Sequence, residues 1–151
     1  MSTQIGINEK LILYLETIGY RSDAVIDKLV SETTTLGSVA QMQIAPEQGQ
    51  FLEIIVKISQ SINCLEIGRF TGLSTLCIAK GLPANGKIIA VDNSNEFLPM
   101  AKKYWKMAKV DLKIESIIGE GVEVMQSMID RQLTFDLIFI DADKNNYPNY
   151  Y

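Results

Sequence analysis

The sequence of 151 residues contains no histidine. This absence excludes Ser-His-Asp and Cys-His catalytic sites, and it excludes metal sites that rely on imidazole ligands. A general base must therefore be a carboxylate or a lysine, tyrosine or cysteine side chain. A metal site must be built from oxygen ligands, which favours Mg²⁺, Ca²⁺ or Mn²⁺ over Zn²⁺.

Cysteine is scarce as well. Cys64 and Cys77 are the only two, and both lie within apolar runs. Two cysteines are too few for a disulfide scaffold, and the sequence has no Cys-x-x-Cys pair that would suggest a zinc site. We expect two buried, reduced thiols.

Long apolar runs are also missing. No stretch reaches the roughly 18–20 apolar residues that cross a bilayer, so we expect no membrane partner. Residues 1–10 contain no basic segment followed by an apolar core, which predicts a cytoplasmic protein without a signal peptide. The net charge of −4 argues against a nucleic-acid partner, and we expect the lysines of residues 102–109 to form a solvated helix face.

The composition that remains is typical of one globular α/β domain. Apolar residues make up 47% of the chain and charged residues 21%, both near the average for soluble proteins. Short apolar segments alternate with amphipathic ones from Pro46 onward. The pattern predicts strands at 62–67, 87–92, 112–118 and 135–140, and helices at 73–79, 96–109 and 120–129.

The region before this alternation is predicted to be helical. Apolar spacing favours helices over residues 7–18 and 23–30, followed by a polar loop at 31–35. Pro46 opens a further helix, whose predicted buried face carries Phe51, Leu52, Ile55 and Ile58. We therefore predict one domain over residues 1–151, with an N-terminal helical region (1–45) and a cofactor-binding core (46–151).

Strands that alternate with helices predict a Rossmann-like parallel sheet with helices on both faces. Ligands of such sheets bind beyond the carboxyl ends of the strands. Glu66, Asp92 and Asp141 all lie near such ends. Four strands are fewer than the five to seven usual in a doubly wound sheet, so we expect that a C-terminal portion beyond Tyr151 is missing.

A glycine-containing turn follows the first predicted strand. Residues 65–74 read Leu-Glu-Ile-Gly-Arg-Phe-Thr-Gly-Leu-Ser, and Gly68 and Gly72 allow close backbone approach or positive φ. The N–H groups that open the next helix can bind the polar end of a cofactor. An ordinary loop with two glycines is the alternative.

Asp92 ends the second predicted strand, 24 residues after Gly68. An acid at this place can accept hydrogen bonds from a ribose diol, although a solvated or capping acid is the alternative. The dinucleotide motif Gly-x-Gly-x-x-Gly fails because Phe70 stands at its third position, where it would crowd a pyrophosphate. S-adenosylmethionine carries no phosphate, so the pattern favours this methyl donor over a nicotinamide cofactor.

The segment Asp141-Ala142-Asp143-Lys144 follows the last predicted strand. Two carboxylates beside a lysine could provide a ligand for a hard cation and a general base. A solvated charged loop is the alternative. Tyr147, Tyr150 and Tyr151 could line a substrate pocket, although helix packing is the favoured interpretation, and Met42 alone is typical of a core residue.

These motifs together resemble the cation-dependent O-methyltransferases that include caffeoyl-CoA and catechol O-methyltransferases. The resemblance covers about Met42 to Tyr151. Its elements are Gln41-Met42, Pro46-Glu47-Gln48-Gly49-Gln50-Phe51-Leu52, Leu65-Glu66-Ile67-Gly68 with Thr71-Gly72 and Ser74, Ala90-Val91-Asp92, Tyr104-Trp105, Phe135-Asp136, Ile140-Asp141-Ala142-Asp143-Lys144 and Asn146-Tyr147.

The resemblance implies a role for each matching position. Residues expected to contact or adjoin S-adenosylmethionine are Met42, Ile44 (through its backbone), Glu66, Gly68, Arg69 (through its backbone), Thr71, Gly72, Ser74, Asp92 (at the ribose), Gly121 (near the adenine), Asp141 and Asp143. Asp141 is the expected ligand of a divalent cation (Mg²⁺, Mn²⁺ or Ca²⁺), and Lys144 is the expected base. Both are thus expected catalytic residues.

The expected reaction is methyl transfer to a hydroxyl of a small catechol-like or phenolic acceptor by a homodimer. In the family that the sequence resembles, an Asp-Asn pair at the end of a further strand supplies additional metal ligands. This sequence does not contain that strand. Three alternatives stay open at this point: a methyltransferase with a non-catechol acceptor, a nicotinamide-dependent dehydrogenase, and a non-catalytic fragment that binds S-adenosylmethionine.

Overall fold

The computed structural model describes residues 6–150. The expectations about the first five residues and about Tyr151 therefore lie outside the described residues. The described helices are α1 (Glu9–Ile18), α2 (Ala24–Thr34), α3 (Pro46–Ile58), α4 (Leu73–Gly81), α5 (Leu98–Met107), α6 (Gly121–Asp130) and α7 (Tyr147–Tyr150), with 3₁₀ turns at Gly37–Met42, Asp111–Lys113 and Lys144–Asn146. The strands are β1 (Asn63–Ile67), β2 (Lys87–Asp92), β3 (Ile114–Ile118) and β4 (Leu137–Ile140).

The four strands form one parallel sheet in the order β3-β2-β1-β4. In register, Ile67 of β1 lies opposite Val91 on one side and Ile140 on the other. The chain moves outward from β1 to β3 and then returns to the far side of β1. This reversal opens a crevice at the carboxyl ends of β1 and β4, the place where open α/β sheets bind ligands.

Both faces of the sheet are covered by helices, because successive side chains of a strand point to opposite faces. Cys64 and Ile88 pack with helices α2 to α5 in one apolar cluster. Leu65 and Val91 pack on the other face with Met128 of α6 and with α7. The predicted Rossmann-like α/β architecture is confirmed.

Helix α2 is longer than the sequence predicts. The polar run after Val30 was expected to be a loop, and that prediction is wrong, because α2 continues to Thr34. The hydroxyl of Thr34 donates to the carbonyl of Ser31 within the helix at 2.7 Å. Thr33 is buried and hydrogen-bonded on the face that meets the core. Polar side chains thus satisfy local and tertiary hydrogen bonds without ending the helix.

The buried face of helix α3 agrees with the prediction at Leu52 but not at Phe51 and Ile58. Phe51 and Ile58 are 58% and 74% exposed, whereas Leu52 and Val56 are buried together with Gly49. A Cβ at Gly49 would lie 2.8 Å from the sulfur of Cys77, so glycine permits close contact between α3 and α4. The lack of a side chain at Gly49 lets this face of α3 pack closely against α4. The distribution of apolar residues alone does not predict which face is buried.

Three elements begin later in the sequence than predicted. Helix α5 begins at Leu98, since Pro99 occupies its first turn, and β3 begins at Ile114 after a 3₁₀ turn. Strand β4 begins at Leu137, after the carboxylate of Asp136 accepts the amides of Ile62 and Asn63. None of the helices described between residues 6 and 150 has the length and apolarity needed to span a bilayer.

The two cysteines are buried free thiols, as predicted. Burial raises the pKa of Cys64 to about 11 and that of Cys77 to about 12. Neither residue forms a thiolate at neutral pH, so cysteine supplies no nucleophile or base to the site described next.

Candidate functional site

A cavity of about 680 Å³ opens at the carboxyl ends of the strands. Its volume lies within the roughly 300–1,000 Å³ typical of small-molecule sites. The lining residues that were predicted as site residues are Met42, Ile44, Gly68, Arg69, Thr71, Ser74, Asp92, Gly121, Asp141, Asp143 and Lys144. Glu66 and Gly72 are not among the lining residues.

Gly68 forms the floor of this cavity between β1 and β4. Its φ is +99°, in the region that favours glycine. A Cβ at this position would lie 2.3 Å from the carbonyl oxygen of Asp141. The amide of Asp141 also donates to the carbonyl of Ile67 at 2.9 Å. Gly68 therefore lets the loop after β4 approach the glycine turn closely enough to form one site.

The carboxylate of Asp92 holds the glycine turn. Its Oδ2 accepts the amides of Arg69 at 3.1 Å and Phe70 at 2.8 Å, and its Oδ1 accepts the amide of Ser94 at 2.9 Å. These bonds stabilise Phe70 at a φ of +49°, which is unfavourable for a residue with a Cβ. Phe70 lines the cavity and packs edge-on against Phe97 at 4.8 Å between ring centroids.

The side chain of Arg69 is buried beneath the turn, with 1% exposure. Its two terminal nitrogens donate to the Ser116 hydroxyl at 2.7 Å and to the Ser94 carbonyl at 2.8 Å. Its Nε has no hydrogen-bond partner among residues 6–150. Burial lowers the pKa of Arg69, and the nearby carboxylates of Asp92 and Glu66 oppose that shift. The guanidinium is thus an internal positive charge under the cavity.

Glu66 lies behind the cavity wall. It is fully buried, and its two carboxylate oxygens accept the hydroxyls of Ser74 and Thr75. Burial raises its pKa to about 7, and the two hydroxyl bonds and the charge of Arg69 oppose that rise. The carboxylate of Glu66 therefore does not line the cavity itself. It is hydrogen-bonded to Ser74, whose side chain belongs to the cavity lining.

Gly72 lies outside the cavity lining and serves the packing of two helices. It opens α4 with a φ of +83°, and an added Cβ would lie 2.8 Å from the Cβ of Ala101 and from Nε1 of Trp105. The indole N–H of Trp105 donates to the Gly72 carbonyl at 3.0 Å. Gly72 thus lets helix α5 pack directly against the end of the turn.

A further part of the cavity lining is the segment of residues 41–45, which we name the strap. All five of its residues line the cavity. The strap begins with the last two residues of the 3₁₀ turn Gly37–Met42 and ends directly before α3, and its Gln43 and Ala45 have extended backbone conformations. The N-terminal region therefore contributes part of the cavity lining, which includes Met42 and Ile44.

The loop after β4 completes the site. The Oδ1 of Asp143 accepts a hydrogen bond from the hydroxyl of Tyr150, and its Oδ2 accepts one from the side-chain amide of Asn146, each at 2.7 Å. Tyr150 is buried, lines the cavity and packs against α6. Burial, together with the bond to Asp143, raises the pKa of Tyr150 to about 12. Tyr150 thus has both of the roles that the sequence left open, packing and pocket lining.

Comparison with known proteins identifies the family. The profile of the O-methyltransferase family matches residues 16–151, nine tenths of the chain. The chain belongs to the O-methyltransferase family. It is 36% identical over 140 residues to caffeoyl-CoA O-methyltransferase 2 of Populus trichocarpa, covering 91% of this chain and 57% of that protein. It is 30% identical over 139 residues to catechol O-methyltransferase of Niastella koreensis, covering 90% of this chain and 61% of that enzyme.

Solved structures agree with this family assignment. A crystal structure of the O-methyltransferase from Bacillus cereus in complex with SAH superposes with a TM-score of 0.83 at 28% sequence identity. The match covers 93% of this chain and 64% of that one. The chain therefore spans about three fifths of the length of the relatives it matches.

The lining of the cavity is acidic. The acidic lining residues are Asp92, Glu120, Asp141 and Asp143, and the basic ones are Arg69 and Lys144. Four carboxylates against two cations leave an excess of two negative charges. This field favours a cationic ligand over a phosphorylated one.

Several residues that line the cavity were not predicted. Gln43, Asn93 and Glu120 all contribute to it. Asn93 directly follows β2 and Glu120 lies two residues after β3, so the strand-end rule could have found both. Gln43 reaches the cavity from a segment without a strand, and no pattern in the sequence indicates that approach.

Proposed function

We propose that this chain binds S-adenosylmethionine in the cavity and transfers its methyl group to a hydroxyl of a small phenolic or catechol-like acceptor. The observation that carries this proposal is the meeting of two segments around one cavity. The glycine turn, held by Asp92, lies against the loop that carries Asp141, Asp143 and Lys144. Membership of the O-methyltransferase family supports the reaction class.

The donor side of the cavity suits a cationic nucleoside. Asp92 accepts three backbone amides, and a carboxylate has about four acceptor sites, so one site on Oδ1 is left for a ribose hydroxyl. The excess of negative charge suits the sulfonium and ammonium groups of S-adenosylmethionine. Phe70 occupies the place where a dinucleotide would need a glycine, which disfavours a nicotinamide cofactor.

On the acceptor side, Lys144 is the proposed general base. It is exposed at the start of the 3₁₀ turn after β4 and makes no ion pair with the residues that the structure describes. In its neutral form, its Nζ takes the proton of the acceptor hydroxyl. The bound donor supplies an electrophilic methyl group, whose carbon bonds to the acceptor oxygen as the donor sulfur keeps the electrons of the broken bond. The remaining task of the cavity is alignment.

The expected divalent cation does not fit the described residues. Asp141 is placed on the cavity, but no group of three or more His, Cys, Asp or Glu side chains among residues 6–150 is arranged to hold an ion. Oxygen-ligated cations need several such ligands. We therefore derive no step of the reaction through a cation.

Two further properties belong to this proposal. A homodimer is supported by helix α1, which has no buried residue and exposes Leu13 and Ile18. Light scattering after size-exclusion chromatography would measure the assembly, and a monomer at micromolar concentration would contradict a stable dimer. A cytoplasmic location stays a prediction.

Calorimetric titration of S-adenosylmethionine into the 151-residue chain, with and without Mg²⁺, tests the proposed function. We expect micromolar binding that Asp92→Asn weakens. The control Asp130→Asn alters an exposed acid on α6 and should leave the affinity unchanged. No binding by a folded chain would refute the donor site. Binding of NADH instead would support the dehydrogenase alternative.

Turnover assays separate the remaining alternatives. Methyl transfer to catechol that persists with a chelator would confirm the reaction without a cation. Transfer only to non-catechol hydroxyls would replace the proposed acceptor class. Donor binding without transfer to any hydroxylated aromatic compound would support the non-catalytic fragment.

A further inference from the structure

Three polar side chains from three separate segments meet beside the cavity. The side-chain amide of Gln43, on the strap, donates to the hydroxyl of Thr33 on α2 at 2.9 Å. It also donates to the hydroxyl of Thr71 in the glycine turn at 3.1 Å. The Thr33 hydroxyl donates to that of Thr71 at 3.2 Å, which closes a triangle of hydrogen bonds.

Two members of this triangle are fully buried, which raises the free-energy cost of breaking its hydrogen bonds. Thr33 and Thr71 are both 0% exposed. A buried hydroxyl that loses its partner keeps its full desolvation cost, so the three groups favour the one arrangement in which all are paired. The Gln43 side chain is the member that connects the strap to the other two segments.

Apart from this network, one strap residue packs against the apolar core, Ile44, whereas Gln41, Met42 and Ala45 are exposed. The strap belongs neither to the sheet nor to an α-helix. The backbone N–H of Gln43 donates to the carbonyl of Ala40, which is a local turn contact. The side chain of Met42 is 59% exposed, so packing constrains it weakly. Thr71 lies in the glycine turn, a separate segment that also lines the cavity. The bond from Gln43 to Thr71 therefore joins two separate segments of the cavity lining.

We propose that Gln43 is a positioning residue that clamps the strap to the glycine turn and to α2, and thereby sets the affinity for the methyl donor. The inference rests on the proposed function, because it concerns binding of S-adenosylmethionine. It assigns Gln43 no contact with reacting atoms. It also gives Thr33, which does not line the cavity, an effect on ligand affinity through the clamp.

Two substitutions test the clamp in the 151-residue chain. Gln43→Leu removes both donated bonds at similar size. Thr33→Val removes a hydroxyl that lies outside the cavity lining, and Thr33→Ser restores that hydroxyl. The matched controls are Thr34→Val, on the neighbouring exposed position of α2, and Gln126→Leu, on the exposed face of α6.

Calorimetric titration of S-adenosylmethionine gives the first measurement. We expect Gln43→Leu and Thr33→Val each to weaken binding by about three- to tenfold, the range set by loss of one or two hydrogen bonds. Thr33→Ser should stay within about twofold of the unaltered protein, as should both controls. The double variant of Gln43 and Thr33 should lose less than the product of the two single losses, because both changes break one network.

Hydrogen exchange at the amides of residues 42–45 gives the second measurement, in the protein without donor. Exchange should be faster in Gln43→Leu and Thr33→Val than in Thr33→Ser. A change in global stability alone would alter unfolding but would not single out these amides.

The outcomes separate the two proposals. No donor binding by the unaltered, folded protein refutes the proposed function and, with it, the effect on affinity. Donor binding that Gln43→Leu and Thr33→Val leave intact overturns the clamp alone. Equal losses in Thr33→Val and Thr33→Ser, or unchanged exchange at the strap, overturn it as well.

Discussion

Replacement of Glu66 by glutamine should remove a large part of the pH dependence of stability. Glu66 is fully buried, and burial raises the pKa of its carboxyl from 4.5 to about 7. A glutamine has nearly the same shape. Its amide oxygen can accept from one neighbouring hydroxyl and its amide nitrogen can donate to the other, so both bonds to Ser74 and Thr75 can persist without a charge.

The sign follows from proton linkage. The folded state holds the proton of Glu66 more tightly than the unfolded chain does, because its pKa is higher in the folded state. This contribution to stability is fully present below pH 4.5 and is lost as the pH rises through about 7. The interval between the two pKa values corresponds to at most about 3–4 kcal/mol. Glu66→Gln should therefore gain stability relative to the unaltered protein across this interval.

Urea unfolding between pH 4.5 and 8 would measure this difference. The single tryptophan, Trp105, is buried against the glycine turn and reports unfolding by its fluorescence. Acids with lowered pKa values, such as Asp136, are common to both proteins and cancel in the comparison. Glu123→Gln, at an exposed position of α6, is the matched control. A stability difference that stays constant over this range, or falls with pH, would refute the reasoning.

Three further predictions concern the turn, the core and the proposed base. Gly68→Ala should cost about 2–4 kcal/mol in urea unfolding and abolish donor binding, since its Cβ would overlap the Asp141 carbonyl at a φ of +99°; unchanged donor affinity would contradict this. Leu76→Ala should cost about 2–5 kcal/mol because Leu76 is fully buried in α4, and a loss below about 1 kcal/mol would show that the core can collapse around it. Lys144→Ala should lower turnover by about 100-fold or more and leave the donor Kd within about twofold; equal losses of both would reject Lys144 as the base.

The strand order shows how much of the fold could be predicted. Apolar runs such as Ile88-Ile89-Ala90-Val91 alternate with amphipathic helices, and this alternation leaves few arrangements other than a parallel sheet covered on both faces. The same rule placed Asp92 and Asp141 at one edge of the sheet, where the cavity lies. Local pattern was sufficient there because strand polarity is a property of the backbone.

The prediction of helix α3 shows where local pattern failed. Phe51 and Ile58 have the apolarity of a buried face, yet the face with Gly49, Leu52 and Val56 packs. Two apolar faces compete on such a helix, and the partner surface of α4 decides between them. For the same reason the polar run at the end of α2 is helical, because Thr33 finds partners 10 and 38 residues away.

The sequence by itself determined the α/β class, the glycine turn, the acids at the strand ends and the absence of any histidine base. Only the tertiary structure decided that Glu66 stands behind Ser74, that Tyr150 holds Asp143, and that Gln43 joins the strap to the turn. The first group depends on backbone period and residue type, which neighbours in the chain reveal. The second depends on which distant side chains become buried together, and packing of the whole domain determines that.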